Sequence, residues 1–389
     1  MRDYFYDPNM HGVDWEAMRD KYAVLVPHAQ HRNDLTYIIG ELIGELNVGH
    51  TYVNDGDRPE IERIPMGMLG GTFSRHESGF YQIDSILRGE SWDKSLRSPL
   101  RAPGVSAQKG DFIIAINGQD VRELSNLHEA LTGKADQIIQ ITLNNEATTE
   151  GAKEYLVRPI RDESQLYYHE WVQQNIEKVS RASEGRIGYL HIPDMGPDGL
   201  NQFARYFYPQ LDKEALIIDD RGNGGGNVSP MIIERLRREP ALGTMMRNNL
   251  TAGIKPDAHV GPKVCLIDQY SASDGDLFPY QFRFHEIGPL IGQRTWGGVV
   301  GIRGTLPFID GGDLRKPEVA HFAVDGSGFI IEGYGVDPDI EVINDPHKEW
   351  KGYDAQLEKG IEYLLEKLEE MGPQGMPDIP PFPDKSGKK

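Results

Sequence analysis

The chain has 389 residues, 38% of them hydrophobic, with 60 acidic and 41 basic side chains and a formal net charge of −19. That length suffices for two or three domains and a sizeable core. The acidic balance argues against nucleic acid and anionic membrane surfaces as partners. No run of about 18 apolar residues is present, so no membrane insertion is expected. The opening residues, Met1-Arg2-Asp3-Tyr4-Phe5-Tyr6-Asp7, lack the apolar stretch of a signal peptide. A cytoplasmic site follows for the chain as it stands, an exported one if it is a fragment of a longer precursor. The single cysteine, Cys265, falls in an apolar run and reads as a small core residue. P-loop, HExxH and GxGxxG motifs are absent, so no metal or cofactor is expected.

Residues 1–58 read as an N-terminal helical subdomain. Asp14-Trp15-Glu16 opens one helix. A second carries Leu35, Ile38, Ile39, Leu42, Ile43 and Leu46 on one stripe, with Asn33 or Asp34 as its cap. Asn47-Val48-Gly49 ends it, and His50-Thr51-Tyr52-Val53 follows as a short extended piece. His50 in that setting is a helix-end or core histidine as readily as a base. Asn54-Asp55-Gly56-Asp57-Arg58-Pro59 is rich in turn formers.

Residues 59–162 read as a β-rich module of short strands around 68–73, 79–83, 111–119 and 138–144, with a capped helix at 125–131. Asn117-Gly118 is a hairpin signal. The run from Gly104 through Lys109-Gly110-Asp111-Phe112-Ile113-Ile114-Ala115-Ile116-Asn117-Gly118 resembles the PDZ consensus, a fold that binds extended peptide ends by strand addition. A generic β-barrel insert is the other reading. Residues 163–372 alternate strands (185–192, 215–220, 263–268, 289–292) with helices (199–207, 228–238, 356–365), which argues for a layered α/β sheet. The Pro- and Lys-containing stretch 373–389 reads as a flexible tail.

Ser271-Ala272-Ser273-Asp274-Gly275-Asp276 sits between a buried strand and the start of a helix. A serine there is exposed at the sheet edge, and the helix start offers free N–H groups to a developing oxyanion. The same residues also read as an ordinary helix cap. Arg221-Gly222-Asn223-Gly224-Gly225-Gly226-Asn227 follows another buried strand, as an anion cradle or simply a tight loop. Thr295-Trp296-Gly297-Gly298-Val299-Val300-Gly301 is a third glycine-rich turn. Glu332 lies between apolar residues and a turn, either buried with a partner or solvated.

In order, these stretches resemble the C-terminal half of the tricorn proteases, serine peptidases related to the carboxy-terminal processing proteases. The matching blocks are the "GH" after the helix, the PDZ-like insert, "IGYLHIPDM", "DDRGNGGG", "SASDGD", "RTWGGVVGI" and "GYGVDPD". The resemblance implies an α/β + β architecture. Its catalytic domain would be an α/β sandwich with crotonase-like or ClpP-like layering, beside a helical subdomain and a PDZ-like barrel. It implies Ser273 as nucleophile, His50 as general base and Glu332 in support, with the N–H groups of Gly226 and Asp274 as the oxyanion hole. Gly225, Thr244, Trp296 and Gly297 would line the substrate site. Peptide substrates and a homo-oligomer, a hexamer in the family, are also implied. Three departures stand out. The lysine base of the processing proteases is missing, because their T-x-G-K block reads Thr295-Trp296-Gly297-Gly298. Gly49 replaces the serine that relays histidine to glutamate in tricorn, and Thr244 falls where tricorn has an acidic P1-binding residue. A catalytically weak scaffold, impaired at Gly49, whose PDZ-like domain holds peptide ends is the rival reading.

Overall fold

The computed structural model describes residues 1–54, 56–90, 92–246, 249–254, 258–303, 307–372 and 379–387. Asp55 of the expected turn, and Pro377 and Lys388-Lys389 of the expected tail, lie outside them. The chain divides into two compact units, Met1–Pro59 with Ile176–Lys389, and Glu60–Asn175.

The first unit begins with α1 (Trp15–Ala23), capped by Asp14 accepting from the Ala17 N–H, and α2 (Arg32–Gly44). The cap of α2 is His31, earlier than the sequence suggested. The Asp34 carboxylate turns back to accept the N–H groups of Gln30 and His31, so the helix can start ahead of it. Of the expected stripe, Ile38, Ile43 and Leu46 are buried and the others partly so. The next segment, β1 (Tyr52–Asn54), lies antiparallel to a strand more than 250 residues away, with Tyr52 opposite Arg315.

The second unit is one antiparallel sheet of β2 (Gly71–Arg75), β3 (Tyr81–Ile86), β4 (Phe112–Ile116), β5 (Gln119–Asp120), β6 (Ile139–Asn144) and β7 (Lys153–Val157), in the order β2-β3-β4-β6-β7 with β5 folded onto β4. Asn117 and Gly118, both at positive φ (49° and 79°), form the β4–β5 turn, as the Asn-Gly pair foretold. Around Leu69, Ile83, Ile113, Ile116, Leu131 and Ile141 the unit builds its own core. The helix expected at 125–131 is a five-residue 3-10 turn, Leu127–Leu131. Glu129 accepts from the Ser125 N–H and hydroxyl, closing the turn that leads into it.

The remainder of the chain supplies α3 (Ser164–Ala182), β8 (Ile187–His191), α4 (Pro197–Phe207), β9 (Ala215–Asp219), α5 (Ser229–Leu236), the hairpin β10 (Gly243–Met246) and β11 (Asn249–Ile254), β12 (Lys263–Ile267), α6 (Asp274–Phe284), β13 (Leu290–Gly292), β14 (Gly301–Arg303), β15 (Asp313–Val319), β16 (Ile340–Glu341), α7 (Pro346–Trp350) and α8 (Ala355–Met371). Five strands form an all-parallel sheet in the order β16-β13-β12-β9-β8. A parallel sheet is buried on both faces, which is why these strands read as unbroken apolar runs. Alternate residues divide between two cores. Leu190, Leu216, Ile218, Cys265 and Ile267 meet Phe203 and Phe207 of α4, Ile232 of α5, and Phe278 and Phe282 of α6. Tyr189, Ile217, Val264 and Leu266 meet Val179 of α3 and Leu357, Ile361 and Leu364 of α8. Each fully buried aliphatic or Phe side chain contributes roughly 1.5–3 kcal/mol. The loops leaving the carboxyl ends of β9 and β12 carry the two glycine- and serine-rich motifs to one edge.

Candidate active site

Ser273 caps α6 with φ 59° and ψ −118°, a left-handed setting that L-residues rarely adopt. Its N–H donates to Asp276 Oδ2 at 2.8 Å. The cap and the exposed-serine readings therefore describe the same geometry. Ser273 is half-buried, whereas Ser271 is fully buried, its hydroxyl donating to the Asp220 carbonyl at 2.8 Å. Ser271 braces the turn, and Ser273 is the serine left within reach of solvent.

The glycine loop after β9 comes up to this serine. A Cβ on Gly225 would fall 2.6 Å from Ser273 Cβ, and one on Gly226 only 2.0 Å from the Met195 carbonyl oxygen. Only glycine permits both approaches. Buried Asn223 holds the loop. Its Nδ2 donates to the Ile192 carbonyl and Asp220 Oδ1 (3.0 and 2.9 Å), and its Oδ1 accepts the Gly225 N–H at 2.9 Å. The N–H groups of Gly226 and Asp274 have no acceptor among the described residues. The Asp274 carboxylate is turned away, taking the Ser229 N–H (3.0 Å) and hydroxyl (2.5 Å). Below the loop, Arg221 is buried against Asp219 and Asp354 and donates to Gln356 Oε1 at 3.0 Å, tying the crossover to the start of α8.

A third loop is stitched to the serine turn. Asp276, fully buried, accepts the Gly297 N–H at 2.7 Å and the Gly298 N–H at 3.3 Å, while the Trp296 N–H donates to the Ser271 carbonyl at 3.0 Å. The His50 ring lies 5.6 Å from the Trp296 ring, centroid to centroid. Glu332 is tied to the same loop. Its Oε1 accepts the Gly49 N–H at 2.7 Å, and its Oε2 accepts the N–H groups of Val299 (2.7 Å) and Val300 (3.0 Å). Ser273, His50, Glu332, Gly225, Gly226, Asp274, Trp296 and Gly297 thus stand on loops joined to one another. Among the described residues no hydrogen bond joins His50 to Ser273 or to Glu332. Thr244 is not brought in: it is exposed on β10, opposite Gly253 of the separate hairpin.

Burial pushes the His50 imidazole below its ordinary pKa, and the Glu332 charge partly offsets that. The ring is therefore neutral near pH 7. Burial raises the Asp276 carboxyl, although its hydrogen bonds from the neighbouring loop oppose this. Asp220 is raised well above the usual carboxylate range, by burial first and then by the charges of Asp219, Asp268 and Asp276. Chemically, the arrangement offers a hydroxyl at a helix start, two unengaged main-chain donors and a neutral imidazole nearby.

Residues 1–44 match the tricorn protease C1 domain, residues 67–162 the tricorn protease PDZ domain, and residues 186–342 peptidase family S41. Tricorn protease homolog 1 of Streptomyces coelicolor is 36% identical over 98% of this chain and 35% of its own length. The tricorn protease of Thermoplasma volcanium is 35% identical over 95% of the chain and 35% of its own length. The crystal structure of the tricorn protease superposes with a TM-score of 0.87 at 34% identity, covering 95% of this chain and 36% of that one. The chain carries tricorn-type C1 and PDZ domains and an S41 peptidase domain. It spans about a third of the length of these tricorn relatives.

In this tricorn-type chain, Gly49 meets Glu332 through its main-chain N–H, where the relay serine was expected to act through a side chain. Two participants escaped the sequence reading. Asp276 was read only as part of a cap, yet it is the knot between the serine and tryptophan loops. Tyr52, whose hydroxyl lies 3.0 Å from His50 Nδ1, was read only as strand. Its signal was present, because residues two apart on an extended segment share a face.

Proposed function

We propose that this chain is a serine peptidase that hydrolyses peptides or unfolded polypeptides through an acyl-enzyme. In this reading Ser273 Oγ attacks the scissile carbonyl carbon as His50 accepts its proton. The oxyanion forms against the N–H groups of Gly226 and Asp274. Protonated His50 then gives the proton to the leaving amine, and a water deprotonated by His50 cleaves the ester. Glu332 stabilises the imidazolium through its charge, and Gly225, Trp296 and Gly297 border the substrate. The observation that carries the reading is the pair of unengaged N–H donors flanking a left-handed serine at a helix start. The domain division proposed is 1–58, 59–162, 163–372 and a tail from 373, with crotonase-like or ClpP-like layering in the third and a homo-oligomer, a hexamer, as the working assembly.

The test is reaction with a fluorophosphonate probe followed by peptide mapping, on wild type, Ser273→Ala and His50→Ala. Labelling at Ser273 that falls at least about 100-fold in His50→Ala is the expected result. Absence of labelling in folded wild type would instead favour a peptide-binding scaffold. The specific observation on that side is the lack of any hydrogen bond between His50 and Ser273, alongside the PDZ match.

A further inference from the structure

We propose that the Tyr52 hydroxyl, rather than Glu332, holds the His50 ring by Nδ1 and leaves Nε2 to the serine, which makes Tyr52 a positioning residue for the general base. This rests on the peptidase reading above. A carboxylate has about four acceptor positions, and three on Glu332 are taken by the main-chain donors of Gly49, Val299 and Val300 at 2.7, 2.7 and 3.0 Å. They hold the carboxylate on the backbone of two loops. A Cβ on residue 49 would fall 3.3 Å from Glu332 Oε1 and 3.2 Å from Gly298 Cα, so glycine lets the main chain itself approach. The ring instead meets Tyr52, with His50 Nδ1 and Tyr52 Oη 3.0 Å apart.

That contact determines which nitrogen can work. With Nδ1 at Tyr52, Nε2 is the nitrogen free for the serine proton. It accepts that proton only if the neutral ring carries its hydrogen on Nδ1 and donates it to Tyr52 Oη. The phenolic hydrogen must then point elsewhere, and Tyr52, 39% exposed, can donate it to water. If Tyr52 donated to Nδ1 instead, Nε2 would carry the hydrogen and the base would be blocked. The hydroxyl's place is set by backbone register, because Tyr52 pairs with Arg315 across β1 and β15. The groups acting on the ring are Tyr52 from its own segment, and Trp296 and Glu332 from the loops opposite. Roles therefore divide, with Tyr52 orienting the ring and Glu332 supplying charge.

The experiment is histidine 15N NMR on the intact chain in wild type, Tyr52→Phe and Glu332→Gln, together with fluorophosphonate labelling rates, kcat and KM. Expected are a protonated Nδ1 in neutral wild type and a mixture of tautomers in Tyr52→Phe. That variant should label about 10-fold or more slowly, with KM unchanged. Glu332→Gln should keep the wild-type tautomer while its His50 titrates at lower pH. A protonated Nε2 in wild type, or a Tyr52→Phe variant matching wild type in tautomer and rate, overturns the proposal. Wild type that fails to label overturns the peptidase reading instead, and the NMR tautomer still decides the role of Tyr52.

Discussion

At the scale of single residues, His50 and Glu332 make a pH prediction. The proposed base, His50, works in its neutral form, and burial holds its pKa below the ordinary value of about 6.5. The acid limb of kcat/KM should therefore have its midpoint below about pH 6.5, with activity kept above it and lost as pH falls through it. Glu332→Gln removes the charge that partly supports the imidazolium. The limb should move to still lower pH while kcat falls about 10- to 100-fold, or roughly 1.4–2.7 kcal/mol of barrier. Rates measured across pH 4.5–8 decide the matter. A limb that stays in place means the Glu332 charge does not reach the ring.

At the scale of elements, the loop between β9 and α5 is the sharpest case. Gly226 has φ 152°, and a Cβ there would sit 2.0 Å from the Met195 carbonyl oxygen. Gly226→Ala must push the loop off its support and displace the N–H assigned to the oxyanion. It should lower kcat about 100- to 1000-fold and destabilise the fold by about 1–3 kcal/mol. Gly224, two residues earlier, has nothing within 4 Å of its would-be Cβ. Gly224→Ala should stay within about 0.5 kcal/mol of wild type and keep its activity. Urea denaturation and steady-state kinetics on the pair separate a specific effect of Gly226 from general stiffening of the loop. On the helix side, Phe278 of α6 is fully buried under the serine turn. Phe278→Ala should cost about 3–5 kcal/mol, read by the same denaturation.

For the molecule as a whole, buried ionisable groups set an acid limit on stability. Burial holds His259 down to about 3 and also depresses His191, so each stays neutral in the fold while the unfolded chain protonates near 6.5. The sign is fixed by that order: stability is full above about pH 6.5 and falls as pH drops below it. Asp220 opposes this. Its raised pKa means the fold keeps a proton that the unfolded chain has lost above about 3.8, so its contribution declines as pH rises. His50, His191, His259 and His321, all depressed by burial, outnumber the raised Asp220, Asp276 and Glu163, so unfolding takes up protons on balance as pH drops below about 6.5. Urea midpoints measured from pH 6.5 to 4.5 should fall accordingly. In His259→Asn the slope should become shallower, and an unchanged slope would remove His259 from the account.

Much of the architecture is decided locally and was therefore legible in the chain. Apolar runs at 187–191, 215–219 and 263–267 read as strands covered on both faces, and Asn117-Gly118 as a tight turn. Ser273 at a strand-to-helix junction and the glycines facing it follow from the same short-range chemistry of backbone angles and helix ends. What the chain alone could not say is which distant groups meet. Gly49 reaches Glu332 across 283 positions, and β1 finds β15 across more than 250. Those meetings depend on how two loops and a sheet edge pack, a sum of many weak contacts with no pattern in any one window. Residue 49 could be read as a lost relay, but only the packing brings its N–H to the carboxylate and leaves the imidazole to the Tyr52 hydroxyl.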